Sequence, residues 1–140
     1  MERWMAYALL SMFFAGVTSV LAKYGLEDIN SDLALAIRTL TILVLVIGFV
    51  AATKKYDDLS VVTWKQTGLL VASGLATTLS WVFYYRAMKE GLVSWVASID
   101  KASIVVTLVL SFVLLGEPIT KTVLIGGGLI LAGLVVLVFK

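Results

Sequence analysis

Five long apolar runs, separated by short clusters of charged and turn-forming residues, make up the chain and extend over residues 4–22, 33–52, 67–85, 93–115 and 122–139. Within a run the apolar side chains cover all faces of a helix, instead of recurring every 3.6 residues as on a helix half turned to water. A hydrocarbon core about 30 Å thick takes roughly 20 residues of helix to cross. The pattern predicts an all-α integral membrane protein: five transmembrane helices in a single transmembrane domain, residues 1–140, with lipid as their solvent.

The joints carry the punctuation such helices need. Asn30, Ser31 and Asp32 predict a cap and an acidic first turn for the second helix. Residues 53–65 form the longest connection, where Ser60 is expected to cap a short interfacial turn bearing Trp64. A third break is expected from Arg86 to Gly91, and a fourth at Gly116-Glu117-Pro118, where the only proline can open a helix. The first run is expected to stay as a span and not to be cleaved as a signal peptide, since it is long and its leader Met1-Glu2-Arg3 lacks the usual positive bias.

Composition sharpens this picture: 61% of residues are hydrophobic, 14% are charged and the mean hydropathy is +1.04, which leaves no polar shell. Cysteine and histidine are both absent, which removes disulfides, thiol nucleophiles, an imidazole base and Cys/His metal clusters. No metal and no cofactor is therefore expected. Catalysis would have to rest on Asp100 and Lys101 without a recognisable nucleophile, so an intramembrane enzyme ranks last. A net charge of +2, spread singly, gives no basic patch for nucleic acid.

The same basic residues bear on orientation, because cytoplasmic loops collect the excess of Lys and Arg. Arg3, Lys54, Lys55, Lys65 and Lys121 fall on one side, and Lys23, Arg86, Lys89 and Lys140 on the other. So even a division predicts insertion in both directions; the alternative is one orientation set by Lys54 and Lys55.

The stretch from Trp81 to Leu137, reading WVFYYRAMKEG, then SFVLLGEPIT, then GGGLILAGLVVL, resembles the drug/metabolite transporter superfamily, EamA-type. LAKYG closing the first helix and LAIRTL opening the second agree, so the likeness spans essentially the whole chain. Most members of that family contain two such five-helix units, one inverted relative to the other. The resemblance implies that a one-unit chain pairs antiparallel with a second copy into a ten-helix inverted-repeat bundle in the cell (inner or plasma) membrane. Its substrate would bind at the pseudo-twofold axis near the midplane. One departure stands out: two-repeat members usually carry proline within the fourth helix, where this chain has Ile104 with Asp100 and Lys101 upstream.

Ionisable side chains deep in a span cost about 2.5–3.5 kcal/mol each near the centre, so those that persist usually face a partner or a wet cavity. Asp100 and Lys101, about 10–12 Å into the fourth helix, are read either as substrate counter-charges or a proton-exchanging pair, or as a structural ion network. Neighbours on a helix point about 100° apart, so Arg38 or a second subunit is expected to help satisfy them. Arg38 itself matches an arginine common at this point in the family and is read as structural or gating. Thr77, Ser80, Trp81 and Tyr84 recur at i, i+3, i+4 and i+7, a stripe suited to an amphipathic ligand or to ordinary helix packing. Ser94 and Ser98 share a face with Lys101 and make a second wall. Glu117 is expected to assist a helix start. Gly126, Gly128, Ala132 and Gly133 are expected to pack helices, since no Lys and Ser or Thr follow to make a phosphate loop.

The leading expectation is a homodimeric secondary transporter of a metabolite, amino acid or amphipathic drug, with the third and fourth helices lining its cavity. The alternative is a non-transporting membrane subunit or half of a heterodimer. Expected partners are membrane lipid, a second copy and a small-molecule substrate.

Overall fold

The computed structural model describes residues 2–138, which form helices and turns with no strand among them. Five segments are long and apolar enough to cross a bilayer: α1 (Arg3–Gly25), α2 (Ser31–Ala52), α3 (Trp64–Glu90), a fourth span (Val93–Leu115) and α6 (Lys121–Val138). The fourth span is itself composite, with α4 (Val93–Asp100), α5 (Ser103–Leu110) and a closing π turn (Ser111–Leu115). The all-helical class and the five spans expected from the apolar runs hold. Phe139, the expected end of the last run, and Met1 and Lys140 lie outside the described residues.

The helix ends follow from local chemistry. Asn30 caps α2, its side-chain oxygen accepting from the N–H groups of Asp32 at 2.8 Å and Leu33 at 3.4 Å. For α3 the cap is Thr63. The Thr63 N–H donates to Gln66 Oε1 at 2.8 Å and the Gln66 N–H donates back to Thr63 Oγ1 at 3.3 Å, a reciprocal capping box. Ser60 instead sits in a 3₁₀ helix (Lys55–Val61) and donates to the Asp57 carbonyl. Trp64 thereby becomes the first residue of α3, 90% exposed, and not part of a separate turn. At the other end α3 continues through the expected break at Arg86 and stops at Glu90. Its 27 residues span about 40 Å, longer than the hydrocarbon core, which is enough to cross with tilt or with its ends in the headgroup layers.

The chain divides into two compact units, one ending at Glu90 and one beginning at Gly91. In the first, α1, α2 and α3 bury Leu26, Leu35, Tyr85 and Met88. In the second, α4 and α5 pack on α6, and Leu134 is the buried residue. Large apolar side chains such as Phe13, Phe49 and Phe83 lie open. Such faces suit lipid tails, and since hydrocarbon is as apolar as the side chains, nothing drives them inward.

Candidate functional site

Arg38 lies seven residues into α2, about 10 Å along its axis. Its guanidinium carbon stands 4.3 Å from the Trp81 ring centroid and 5.7 Å from that of Tyr85, both on α3. A cation over an aromatic face is attracted to the ring quadrupole, which offsets part of what the charge costs in a membrane. Arg38 and Tyr85 line a recess of about 590 Å³ whose wall also includes Thr18 and Leu21 of α1 and Ile37 and Leu45 of α2. Trp81 lines a second recess of about 580 Å³ between α2 and α3, together with Thr39, Ser73, Thr77 and Thr78.

The expected third-helix stripe is therefore split. Thr77 and Trp81 line the second recess, with the Thr77 hydroxyl donating to the Ser73 carbonyl at 2.9 Å. Tyr84 turns to α1, its hydroxyl donating to Ser19 Oγ at 2.9 Å, while Ser19 donates in turn to the Ala15 carbonyl. That is a polar tie between helices of the kind membrane proteins use for packing. Ser80 is exposed and lines neither recess.

In the second unit the ionisable pair marks a discontinuity. The N–H groups of Lys101 and Ala102 bond the carbonyls three residues back, Ser98 and Ile99, at 3.1 and 2.9 Å. Those of Ile104 and Val105 do the same to Lys101 and Ala102, at 3.1 and 3.0 Å. This tight 3₁₀ stretch separates α4 from α5, although the proline usual in the family is absent. Mid-helix 3₁₀ segments and π turns recur at hinges and functional sites. Asp100 is the last residue of α4 and Lys101 its C-cap, so both charges sit at the joint between α4 and α5. The two also reach each other, Lys101 Nζ lying 3.4 Å from Asp100 Oδ2. The long lysine stem folds back to make this contact, while both side chains stay partly open, 64% for Lys101 and 37% for Asp100. On α4 the Ser98 hydroxyl donates to the Ser94 carbonyl at 2.6 Å.

Glu117 lies outside any helix. Its main-chain N–H closes the π turn onto the Ser111 carbonyl at 3.3 Å, just after Gly116 at φ +65°, a left-handed position suited to glycine. The side chain that caps α6 belongs to Thr120, whose hydroxyl accepts from the Val123 N–H. Among the glycines the close contact is made by Gly127: a Cβ there would stand 2.8 Å from Leu108 Cδ1 of α5. A Cβ at Gly126, Gly128 or Gly133 would meet nothing within 4 Å, so these faces are not used for packing within the second unit.

A cationic cluster escaped the sequence reading. Arg86 grips Asp32 with two parallel bonds, Nε to Oδ1 at 3.1 Å and Nη2 to Oδ2 at 2.8 Å. Lys23 Nζ donates to the Met88 carbonyl at 2.6 Å, and Lys89 Nζ to the carbonyls of Leu26 and Glu27. Together they clamp the α1–α2 connection to the end of α3 beside the buried Leu26 and Met88. Residues 54 and 62–65 positions apart leave no local signal for such contacts.

Comparison with known proteins agrees with the helical architecture. The EamA-like transporter family matches residues 2–139. A relative from Sinorhizobium sp, described as an uncharacterized transporter in the cobO 3' region, is 40% identical over 136 residues, 97% of this chain and 96% of its own length. No solved structure matches. Likeness to this family and to this relative over nearly the full length, on a chain with five segments long and apolar enough to cross a membrane, shows a multi-pass membrane transporter that belongs to the EamA-like transporter family.

Proposed function

We propose that the protein is a secondary transporter that carries a metabolite, amino acid or amphipathic drug across the cell membrane by alternating access, as an antiparallel homodimer of chains inserted in both orientations. The state of the ionisable groups inside the spans carries this reading. Asp100 and Lys101 lie seven and eight residues into the fourth span, and their side chains are 37% and 64% exposed. Facing lipid, each charge would cost about 2.5–3.5 kcal/mol; facing water enclosed by a second copy, it costs little. The relative matched over 96% of its length supports a five-span design as a working unit, and an inverted pair of such units places substrate at the shared axis.

In this reading the break at Asp100 and Lys101 supplies the coupling charge, with Ser94 and Ser98 on the same helix. Thr77 and Trp81, which line the second recess, contribute substrate contacts, Ser80 lies exposed on the same helix, Tyr84 ties α3 to α1, and Glu117 has a structural or gating role. Tags on both termini test the assembly: accessibility of each terminus from both sides of the membrane is expected. Accessibility from one side only would replace the dual-topology homodimer by half of a heterodimer. In proteoliposomes Asp100→Asn and Lys101→Ala should each cut pH-dependent uptake by about tenfold or more, the value of one charged contact. Unchanged uptake would remove both residues from the mechanism.

A further inference from the structure

Arg38 is the odd charge of the membrane interior. Among the described residues three charged side chains lie more than five residues from the ends of the spans, namely Arg38, Asp100 and Lys101, and the last two contact each other at 3.4 Å. Among the described residues Arg38 has no carboxylate and no hydrogen-bond acceptor; its contacts are the rings of Trp81 and Tyr85. Rings can cover the faces of a guanidinium but cannot accept in its plane. The N–H fork at its edge, which matches a carboxylate with two parallel bonds, is left without a partner.

Arg38 also lines the recess between α1 and α2. Its volume of about 590 Å³ is that of a small-molecule site, and its wall is mostly apolar with Arg38 as the one charged lining residue. Along α2 the wall runs from Ala34 to Leu45, roughly 16 Å, so Arg38 sits near one third of its length. About 10 Å of largely hydrocarbon wall continues past it to Leu45. One positive charge and a long apolar wall select a single negative charge on a greasy body.

We propose that this recess is a subsite for the carboxylate of a small amphipathic organic anion, with Arg38 as counter-charge, Trp81 and Tyr85 holding the guanidinium flat, and Leu21, Ile37 and Leu45 receiving the apolar portion. Its role as a substrate subsite rests on the transporter reading; occupancy by an organic anion does not. An anionic lipid headgroup offers the same bidentate chemistry to a guanidinium, and the experiment below separates the two sources.

The test is equilibrium binding to the full chain in phosphatidylcholine nanodiscs, using octanoate, 4-phenylbutyrate and indole-3-acetate, each beside its uncharged amide. At least one carboxylate should bind about tenfold or more tighter than its amide, as a charge-assisted bidentate contact implies. Arg38→Gln should abolish that preference and Arg38→Lys should restore part of it. Ala22→Phe, which fills the recess without touching the charge, should weaken acid and amide alike; it keeps the test open if Arg38→Gln does not fold. Doping the discs with phosphatidylglycerol should leave carboxylate binding unchanged. Absence of binding by all three acids, equal binding of acids and amides, or Arg38-dependent retention of phosphatidylglycerol with no acid bound would each overturn the proposal. Binding depends neither on uptake nor on insertion in both directions, so it can fail or succeed separately from the transport reading.

Discussion

Replacing Arg38 by methionine should make the folded protein more stable, not less. A guanidinium seven residues inside a span costs about 2.5–3.5 kcal/mol on insertion scales when nothing pairs with it. Against this stands the stack on Trp81 at 4.3 Å, worth about 1 kcal/mol for a half-buried cation, and a weaker contribution from Tyr85 at 5.7 Å. The arginine stem also packs, but methionine keeps most of that volume and adapts to irregular gaps. The balance leaves Arg38 a net cost, and Arg38→Met should raise the unfolding free energy by about 1 kcal/mol. Equilibrium unfolding in mixed micelles with increasing SDS, followed by far-UV circular dichroism, measures this. Arg38→Met paired with Trp81→Leu in a double-mutant cycle isolates the stack, expected near 1 kcal/mol. If Arg38→Met destabilised by about 2 kcal/mol or more, the arginine would be held by an anionic partner and would be a structural group.

Other residues give further checks. Gly127→Leu should destabilise the packing of α6 on α5 by about 1–3 kcal/mol, because even a Cβ there stands 2.8 Å from Leu108 Cδ1. Gly126→Ala, with open space around it, should be neutral or gain up to about 1 kcal/mol of helix propensity in the same unfolding assay. Thr63→Ala should cost about 0.5–2 kcal/mol by opening the reciprocal cap of α3, whereas Ser60→Ala should stay within about 0.5 kcal/mol. Asp32→Asn should loosen the clamp around the α1–α2 connection, seen as faster amide hydrogen exchange at Leu26 and Glu27 with little change at mid-span; unaltered exchange would show that Lys23 and Lys89 hold the connection alone.

The membrane class and the number of spans were legible in the sequence because both depend on a one-dimensional quantity, the length of each apolar run against the thickness of hydrocarbon. The caps were partly so: Asn30 stands beside the helix it opens, and Thr63-x-x-Gln66 is a local pattern that could have been read. The break at Asp100 and Lys101 was half visible, as a cost within an apolar run, but its 3₁₀ hydrogen bonding without proline was not. What tertiary structure alone decided are contacts over long separations along the chain: Arg86 with Asp32, Tyr84 with Ser19, Arg38 with Trp81, and Gly127 with Leu108. In lipid every face of these helices is apolar enough to turn outward, so hydrophobic periodicity does not say which face meets a neighbour. Close packing and the few polar groups choose it, and that choice appears only once the helices lie side by side.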